Sequence, residues 1–213
     1  MATKLYLRNT TTHGLTPSGD TVWYDMVTTA GAAADFVDCA TTASGTEIQF
    51  EVPSTANTVA WISGRVPAGG FTLTSTDFSG WFGESNMSAN VGGRYRVFKR
   101  AAGGTITEVG GGPFNDGVEF SVLPTLTEMT WIGNVTDTAF AEDDRILLRV
   151  YITNVGTMAA GFTAEMDFND ADATTRDTFF NIAETVTFKA EGTVITPPQP
   201  TVRLDAVNRA GNY

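Results

Sequence analysis

The chain has 213 residues, which suits one domain with its own core, and such a domain buries roughly 70% of its unfolded surface. Its residues are 42% hydrophobic and only 17% charged, which is not the composition of a disordered chain. The formal net charge of −11 argues against a nucleic-acid interface and against an anionic membrane surface, because both need a basic patch.

Residues 1–44 form a first region, for which the sequence predicts an extended and irregular segment. Lys4–Arg8 alternates apolar and polar residues and predicts an edge strand. Residues 9–20 are polar and read as a loop, and the aromatic pair that follows is expected to be exposed. We expect four side chains of this region to contact a partner, those of Leu5, Leu7, Trp23 and Tyr24.

Residues 45–192 form a second region, which is rich in β-branched and aromatic residues. Apolar residues of Glu47–Val52 share one face, and this period of two indicates a half-buried strand. Ile146–Ile152 is more continuously apolar, as expected of a central strand packed on both faces. Nine segments predict strands: Glu47–Val52, Val59–Val66, Phe71–Phe82, Arg94–Arg100, Val118–Leu123, Leu126–Val135, Arg145–Thr153, Phe162–Phe168 and Thr185–Lys189.

Turn-forming residues separate most of these segments, and Glu84–Asn90 is the best candidate for a helical turn. So many short strands, each with one apolar face, are most simply buried between two packed sheets. The sequence therefore predicts an all-β fold. We expect an antiparallel β-sandwich of the jelly-roll type, with extended N- and C-terminal segments.

Residues 193–213 form a third region with a different composition. Thr196–Pro200 contains three prolines, which favour a stiff polyproline II spacer. The residues after it alternate apolar and polar side chains, a pattern suited to adding a strand to the edge of a neighbouring sheet. We expect three residues of this arm to contact a partner, namely Val202, Leu204 and Tyr213.

The residue inventory argues against nucleophilic catalysis. The single histidine, His13, lies in a polar loop and is expected to be a surface residue, and Ser85 is not part of a Gly-x-Ser-x-Gly motif. Cys39 is the single cysteine, so it forms no intrachain disulfide, and it has no basic neighbour. The sequence predicts that the chain is not an enzyme, although its 24 acidic residues offer many carboxylate pairs of the kind that hydrolyse glycosides.

One acidic loop is a candidate cation site. Four oxygen-bearing side chains fall within six residues after a predicted strand, and such hard ligands suit Ca²⁺. The loop lacks the sixth-position glycine and the twelfth-position glutamate of an EF-hand, and Asp and Asn also favour turns for local reasons. We expect no cofactor beyond this candidate calcium site, whose ligands would be Asp167, Asn169, Asp170 and Asp172.

Several stretches together resemble the jelly-roll accessory structural proteins of tailed bacteriophages, which decorate or cement capsids. These stretches are Trp81–Asn90, Arg94–Arg100, Glu142–Ile152, Phe162–Phe168 and Thr178–Phe188. The resemblance covers residues 45–190, and it consists of strand patterns rather than catalytic signatures. It implies a multicopy virion protein that binds the major capsid protein and neighbouring copies of itself, and it carries over no catalytic residue.

The same expectations extend to location and to alternative functions. No apolar run approaches the roughly 20 residues of a membrane span, and the first eight residues lack the apolar region of a signal peptide. The sequence therefore predicts synthesis in the host cytoplasm, and the resemblance implies a final place on the capsid surface of the virion. The alternative is a carbohydrate- or receptor-binding module of a phage tail, fibre or baseplate, and a glycosidase on the same scaffold is a third hypothesis.

Overall fold

The computed structural model describes residues 2–29, 39–42, 47–52, 57–115, 117–155, 161–167 and 177–189. Over these ranges the chain is all-β, as predicted, and no helix occurs in them. They accordingly hold no helix long and apolar enough to cross a membrane. The strands are β1 (Thr3–Thr12), β2 (Val22–Val27), β3 (Cys39–Thr42), β4 (Ile48–Gln49), β5 (Glu51–Val52), β6 (Asn57–Ser63), β7 (Phe71–Leu73), β8 (Thr76–Glu84), β9 (Val91–Arg100), β10 (Ile106–Glu108), β11 (Ser121–Val122), β12 (Thr127–Gly133), β13 (Thr138–Phe140), β14 (Arg145–Asn154), β15 (Thr163–Asp167) and β16 (Phe179–Ile182).

One large sheet contains fourteen of the strands, in the order β10-β9-β14-β6-β2-β1-β16-β8-β15-β3-β5 with three further strands at its sides. Strands β11 and β12 pair with β8, and β4 pairs with β14. Because β5 pairs with β6 as well as with β3, the order returns on itself and the sheet is curled. The sheet is mixed rather than antiparallel throughout, since β2 lies parallel to β6 and β11 lies parallel to β8. Strands β7 and β13 form a separate small sheet.

Aromatic side chains fill the space inside the curl. Tyr95 of β9 and Phe78 of β8 are far apart in the strand order, yet their ring centroids lie 5.8 Å apart. Trp131 of β12 stacks on Phe78 with a centroid distance of 5.3 Å. Two distant parts of the sheet therefore face each other across one core, and aromatic pairs at such distances contribute about 0.5–1.5 kcal/mol beyond their burial.

A second, smaller apolar cluster lies on the opposite face of part of the sheet. Strand β14 shows the division, because Ile146, Leu148 and Val150 join the main core while Leu147 joins the second cluster. This confirms the prediction of a central strand packed on both faces. The second cluster comprises Trp23, Ala60, Ile62, Phe98 and Leu147, with Leu15 and Ile106 packed against it.

The N-terminal strands belong to the sheet itself. Strand β1 pairs with β16 on one side and with β2 on the other, so the prediction that Lys4–Arg8 is an edge strand is wrong. Leu5 and Leu7 are 1% and 0% exposed and lie in the main core. Burying such side chains is favourable by about 1.5–3 kcal/mol each, which explains why this segment is held inside the fold.

Two local predictions also differ from the structure. Residues 85–90 form a tight turn between β8 and β9 rather than a turn of helix, and Asn90 takes a left-handed φ of 51°. Phe71–Phe82 is divided between β7 of the small sheet and β8 of the large one. Asparagine tolerates positive φ better than most residues, which suits it to end this turn.

Candidate functional site

Three exposed apolar side chains lie on neighbouring segments at the end of the sheet where β8 turns into β9. Met87 lies in this turn, and Val118 and Val122 lie on the segment beside it, with exposed fractions of 75%, 50% and 40%. That segment is fixed in place because Val122 pairs with Glu84 and the amide of Phe120 donates to the Val91 carbonyl oxygen. We call Met87, Val118 and Val122 the apolar tip.

An open pocket of about 440 Å³ lies beside strands β1, β2 and β6, and we call it the Phe188 pocket. Apolar and polar groups both line it, which is typical of ligand sites of this size. Gly64 lets Phe188 and Lys189 lie close to the end of β6, because a Cβ atom there would approach the Lys189 carbonyl oxygen to 2.9 Å. Its lining residues are Leu5, Asp25, Met26, Val27, Thr28, Gly64, Val186, Thr187, Phe188 and Lys189.

His13 lies next to a lining residue of this pocket. Its Nδ1 atom is 2.6 Å from Oδ1 of Asp25, and its side chain is only 4% exposed, so the prediction of a surface histidine is wrong. The amide of His13 donates to the carbonyl oxygen of Trp23, which aligns the residue with β2. A carboxylate that accepts a hydrogen bond from one ring nitrogen fixes the orientation of the imidazole.

A charged network joins the lining of the Phe188 pocket to the lining of a second pocket. Lys189 Nζ lies 2.5 Å from Oε1 of Glu142 and 2.9 Å from Oδ1 of Asp143, whose same oxygen is 3.5 Å from Nη1 of Arg65. The hydrogen bond from Lys189 lowers the pKa of Asp143, and the two carboxylates raise the pKa of Lys189. All of these groups face solvent in part, so each pair contributes little to stability.

The second pocket, of about 310 Å³, is lined by three arginines, and we call it the arginine pocket. The sequence predicted a strand over Arg94–Arg100 but gave no sign of the neighbours of Arg100. Those neighbours come from elements far apart along the chain. The lining residues are Leu15, Arg65, Arg100, Ala102, Asp143 and Arg145.

The aromatic pair expected to be exposed is buried. Trp23 and Tyr24 are 1% and 8% exposed, so the prediction of a surface platform at these residues is wrong. Trp23 packs in the second cluster, where its Nε1–H donates to Oδ2 of Asp20 at 2.8 Å. Leu5 and Leu7 also have almost no accessible surface, so none of these four side chains offers area to a partner.

The remaining predicted site residues fall largely outside the described ranges. Asn169, Asp170 and Asp172 lie outside them, and so do the arm residues Val202, Leu204 and Tyr213. Asp167 closes strand β15, where its backbone pairs with Trp81. Among the residues that the structure does describe, no group of three or more His, Cys, Asp and Glu side chains is placed to hold a metal ion.

A buried carboxyl group lies just inside the apolar tip. Glu84 is fully buried, and its Oε2 atom accepts a hydrogen bond from the Val91 amide at 3.0 Å. Burial raises the pKa of Glu84 to about 7, the Val91 hydrogen bond opposes this shift, and the nearby Glu119 adds to it. The sequence gave no signal for this site, because nothing in it indicates that a glutamate at a strand end is buried.

Comparisons with known proteins show a similar fold but assign the chain to no family. No protein-family model matches the chain, and no curated protein matches it. Two structures of a CocE/NonD family hydrolase from Staphylococcus aureus are similar, with TM-scores of 0.50 and 0.51 and 9% identity, over 85% of this chain and 36% of the hydrolase. An aminopeptidase from a marine sediment Thaumarchaeota archaeon matches with a TM-score of 0.42 and 11% identity, over 63% of this chain and 27% of that one.

This comparison corrects one prediction from the sequence. The prediction that the chain is not an enzyme is wrong on this comparison, because the Staphylococcus aureus structures whose fold it resembles are those of a hydrolase. The chain spans about a third of the length of the Staphylococcus aureus hydrolase. At 9% identity the likeness shows the fold alone, and hydrolysis stays a property of that protein.

Proposed function

We propose that the chain is a structural virion protein of a tailed bacteriophage, located on the capsid surface, which decorates or cements the capsid by binding the major capsid protein in many copies. The apolar tip carries this proposal. Its three side chains are 40–75% exposed at one end of a rigid sheet, although water is an unfavourable environment for them. Full burial of one such side chain against a partner is favourable by about 1.5–3 kcal/mol.

Attachment in many copies suits a small contact of this kind. A tip of three side chains gives a weak individual interaction, but copies held on one lattice also bind neighbouring copies and gain avidity. The net charge of −11 supports a protein partner rather than nucleic acid, because counterion release needs a basic surface.

We further infer that the curled sheet is a sandwich of the jelly-roll type. Most of its strand pairs are antiparallel, and its aromatic core lies between parts of the sheet that are distant in strand order. A body of this kind keeps the tip in one fixed orientation. Fixed orientation lowers the ordering cost of binding to a repeated lattice.

The proposal is tested with a tip variant that carries Met87→Ser, Val118→Ser and Val122→Ser. Co-sedimentation with purified capsids that lack the protein measures its occupancy. We expect the affinity to fall by at least about tenfold, since roughly 1.4 kcal/mol of lost contact is enough for that change. Circular dichroism and a urea titration establish that the variant is folded.

Ile132→Ser is the matched control. Ile132 is 70% exposed on β12 and lies outside the tip, so its replacement removes a similar apolar side chain from another surface. We expect this variant to bind capsids as the wild type does. Unchanged capsid binding by the tip variant would remove the tip from the mechanism, and no binding of the wild type would reject the capsid proposal.

The Phe188 pocket favours a second candidate function, a carbohydrate- or receptor-binding module of a phage tail, fibre or baseplate. It has the size of a small-ligand site and combines the Phe188 ring with the polar groups of Asp25, Thr187 and Lys189. A glycan array tests this candidate, with Gly64→Val as the variant that displaces Phe188 and Lys189 from their place in the pocket lining. Binding of a glycan that Gly64→Val abolishes would favour it over the capsid proposal, and a silent array would reject it.

A further inference from the structure

The arginine pocket places like charges directly opposite each other in the sheet. Arg100 ends strand β9 and Arg145 begins β14, and these two residues are partners in the antiparallel register. Like charges at such positions repel and destabilise a sheet. The chain holds 24 acidic and 13 basic residues, so the meeting of three arginines in one pocket is not a consequence of a basic composition.

The carboxylates near the arginine pocket already form ion pairs or accept hydrogen bonds. Asp143 contacts Lys189 at 2.9 Å and Arg65 at 3.5 Å. Asp144 accepts hydrogen bonds from the backbone amides of Ala102 at 3.1 Å and Ala141 at 2.8 Å. These bonds hold the two carboxyl groups in place, so neither is free to turn fully toward Arg100.

Arg100 retains unused hydrogen-bonding capacity. Its Nε atom is buried, and among the described residues it has no hydrogen-bond partner; the same is true of Nε of Arg65. A buried polar group without a partner costs about 1–3 kcal/mol, and more when it is charged. Burial lowers the pKa of Arg100, and the charge of Arg145 lowers it further.

The guanidinium groups are held in position before any ligand arrives. The Cζ atom of Arg100 lies 5.7 Å from the Trp23 ring centroid, a cation–π contact that fixes the side chain over the second cluster. Arg145 is 4% exposed, and its Nη1 atom donates to the Ser63 carbonyl oxygen at 3.0 Å. Pre-organised donors of this kind bind more tightly because less conformational freedom is lost on binding.

We propose that the arginine pocket is a binding site for an oxyanion, which is held between Arg100, Arg145 and Arg65. Guanidinium groups present paired N–H donors that match the oxygens of a phosphate group or a carboxylate. The anion supplies acceptors for the unused donors and removes the repulsion between Arg100 and Arg145. The pocket volume of about 310 Å³ admits a group of this size.

The experiment is a calorimetric titration of the full chain with inorganic phosphate and, separately, with acetate, at constant ionic strength set by chloride. We expect saturable binding of at least one of the two ions. Tighter binding of phosphate would identify a phosphate group as the ligand chemistry, and tighter binding of acetate would identify a carboxylate. The absence of saturable binding for both ions would overturn the proposal.

Arg100→Gln and Arg96→Gln form the matched pair of variants. Arg96 lies on the same strand and pairs with Glu47 and Glu108, so its replacement removes the same charge away from the pocket. We expect Arg100→Gln to weaken anion binding by about tenfold or more and Arg96→Gln to leave it within about twofold. Equal weakening in both variants would show a general charge effect and would overturn the site.

The stability of the ligand-free variants gives an independent measurement. Arg100→Gln removes one of two repelling charges, so we expect its melting temperature without anion to equal or exceed that of the wild type. Phosphate or acetate should raise the melting temperature of the wild type and leave that of Arg100→Gln nearly unchanged. A large fall in the ligand-free melting temperature of Arg100→Gln would assign Arg100 a structural role instead.

Discussion

The hydroxyl group of Tyr95 lies 2.9 Å from the hydroxyl group of Thr76, which joins β9 to β8 across the main core. Both residues are almost fully buried. The Tyr95 hydroxyl also lies 3.3 Å from the carbonyl oxygen of Thr76. Burial raises the pKa of Tyr95 well above its ordinary value, so the phenol stays protonated and acts as a donor.

We expect Tyr95→Phe to lower the free energy of unfolding by about 1–2 kcal/mol, because Thr76 then keeps a buried hydroxyl group without this partner. The ring contacts of Tyr95 remain, so the loss reports on the hydroxyl alone. Urea denaturation followed by tryptophan fluorescence gives the value.

Tyr6→Phe is the control for this change. Tyr6 is half-buried on β1, and its replacement removes a hydroxyl group outside the closed core. We expect a change within about 0.5 kcal/mol, as for most substitutions away from buried features. Equal losses in the two variants would contradict a special role for the Tyr95–Thr76 contact.

Periodicity within single strands predicted much of this fold. The nearly continuous apolar run Ile146–Ile152 correctly indicated a central strand, since Leu147 and Leu148 are both fully buried on opposite faces. The all-β class followed from the same signal. A period of two reports which face of a strand is buried, and this information is local.

The alternation of residues within a strand does not show where in the sheet that strand lies. Leu5 and Leu7 would alternate in the same manner at an edge or between two neighbours, and the structure places β1 between β16 and β2. Trp23 was expected at the surface because its sequence surroundings are irregular. It is buried because β2, β6, β14 and β9 lie side by side and build a second cluster.

The candidate sites depend on register between distant segments, which the sequence does not show. Arg100 and Arg145 are 45 positions apart and meet because β9 and β14 pair in one particular register. A shift of this register by one residue would turn one of the two arginines to the other face. The meeting of Val122 with the Glu84 end of β8 depends on strand pairing in the same way.

Asp20 provides a second prediction, because it anchors the N-terminal loop to the sheet. Its fully buried carboxylate accepts two hydrogen bonds from Arg149, at 2.8 and 2.9 Å. It also accepts one from Trp23 and one from Gln49, each at 2.8 Å. We expect Asp20→Asn to destabilise the protein by about 3 kcal/mol, because it leaves the largely buried guanidinium group of Arg149 without its counter-charge.

Chemical denaturation measures this loss, and Asp137→Asn is its control. Asp137 is exposed in the segment before β13, so the same change in charge there should alter stability by less than about 0.5 kcal/mol. A loss below about 1 kcal/mol in Asp20→Asn would mean that the Asp20–Arg149 pair only balances its own desolvation cost.

Glu84 provides the third prediction, a dependence of stability on pH. One carboxyl oxygen accepts the Val91 amide, and the other is buried without a hydrogen-bond partner among the described residues. A proton on the carboxyl group supplies a donor that can bridge Glu84 and the neighbouring Glu119. Burial, with Glu119 adding to it, raises the pKa of Glu84 from an ordinary 4.5 to about 7.

The direction of this pH effect on stability depends on whether the folded or the unfolded chain keeps the Glu84 proton. Between pH 4.5 and about 7 the unfolded chain loses the Glu84 proton while the folded protein keeps it. The contribution of Glu84 to stability is therefore complete below pH 4.5, falls as the pH rises through this window, and is lost above about 7. Its slope cannot exceed about 1.4 kcal/mol per pH unit for one proton.

Glu84→Gln keeps the shape of the side chain and removes its titration, so we expect its stability to change less with pH across this window. Relative to the wild type, the variant should become steadily more stable from pH 5 to pH 7.5, as measured by urea denaturation at several pH values. Glu165→Gln removes a carboxylate from the neighbouring strand β15 and should keep the wild-type profile. Parallel pH profiles of the wild type and Glu84→Gln would show that Glu84 is ionised in the folded protein, and Glu84 would then not be the source of any loss of stability toward neutral pH.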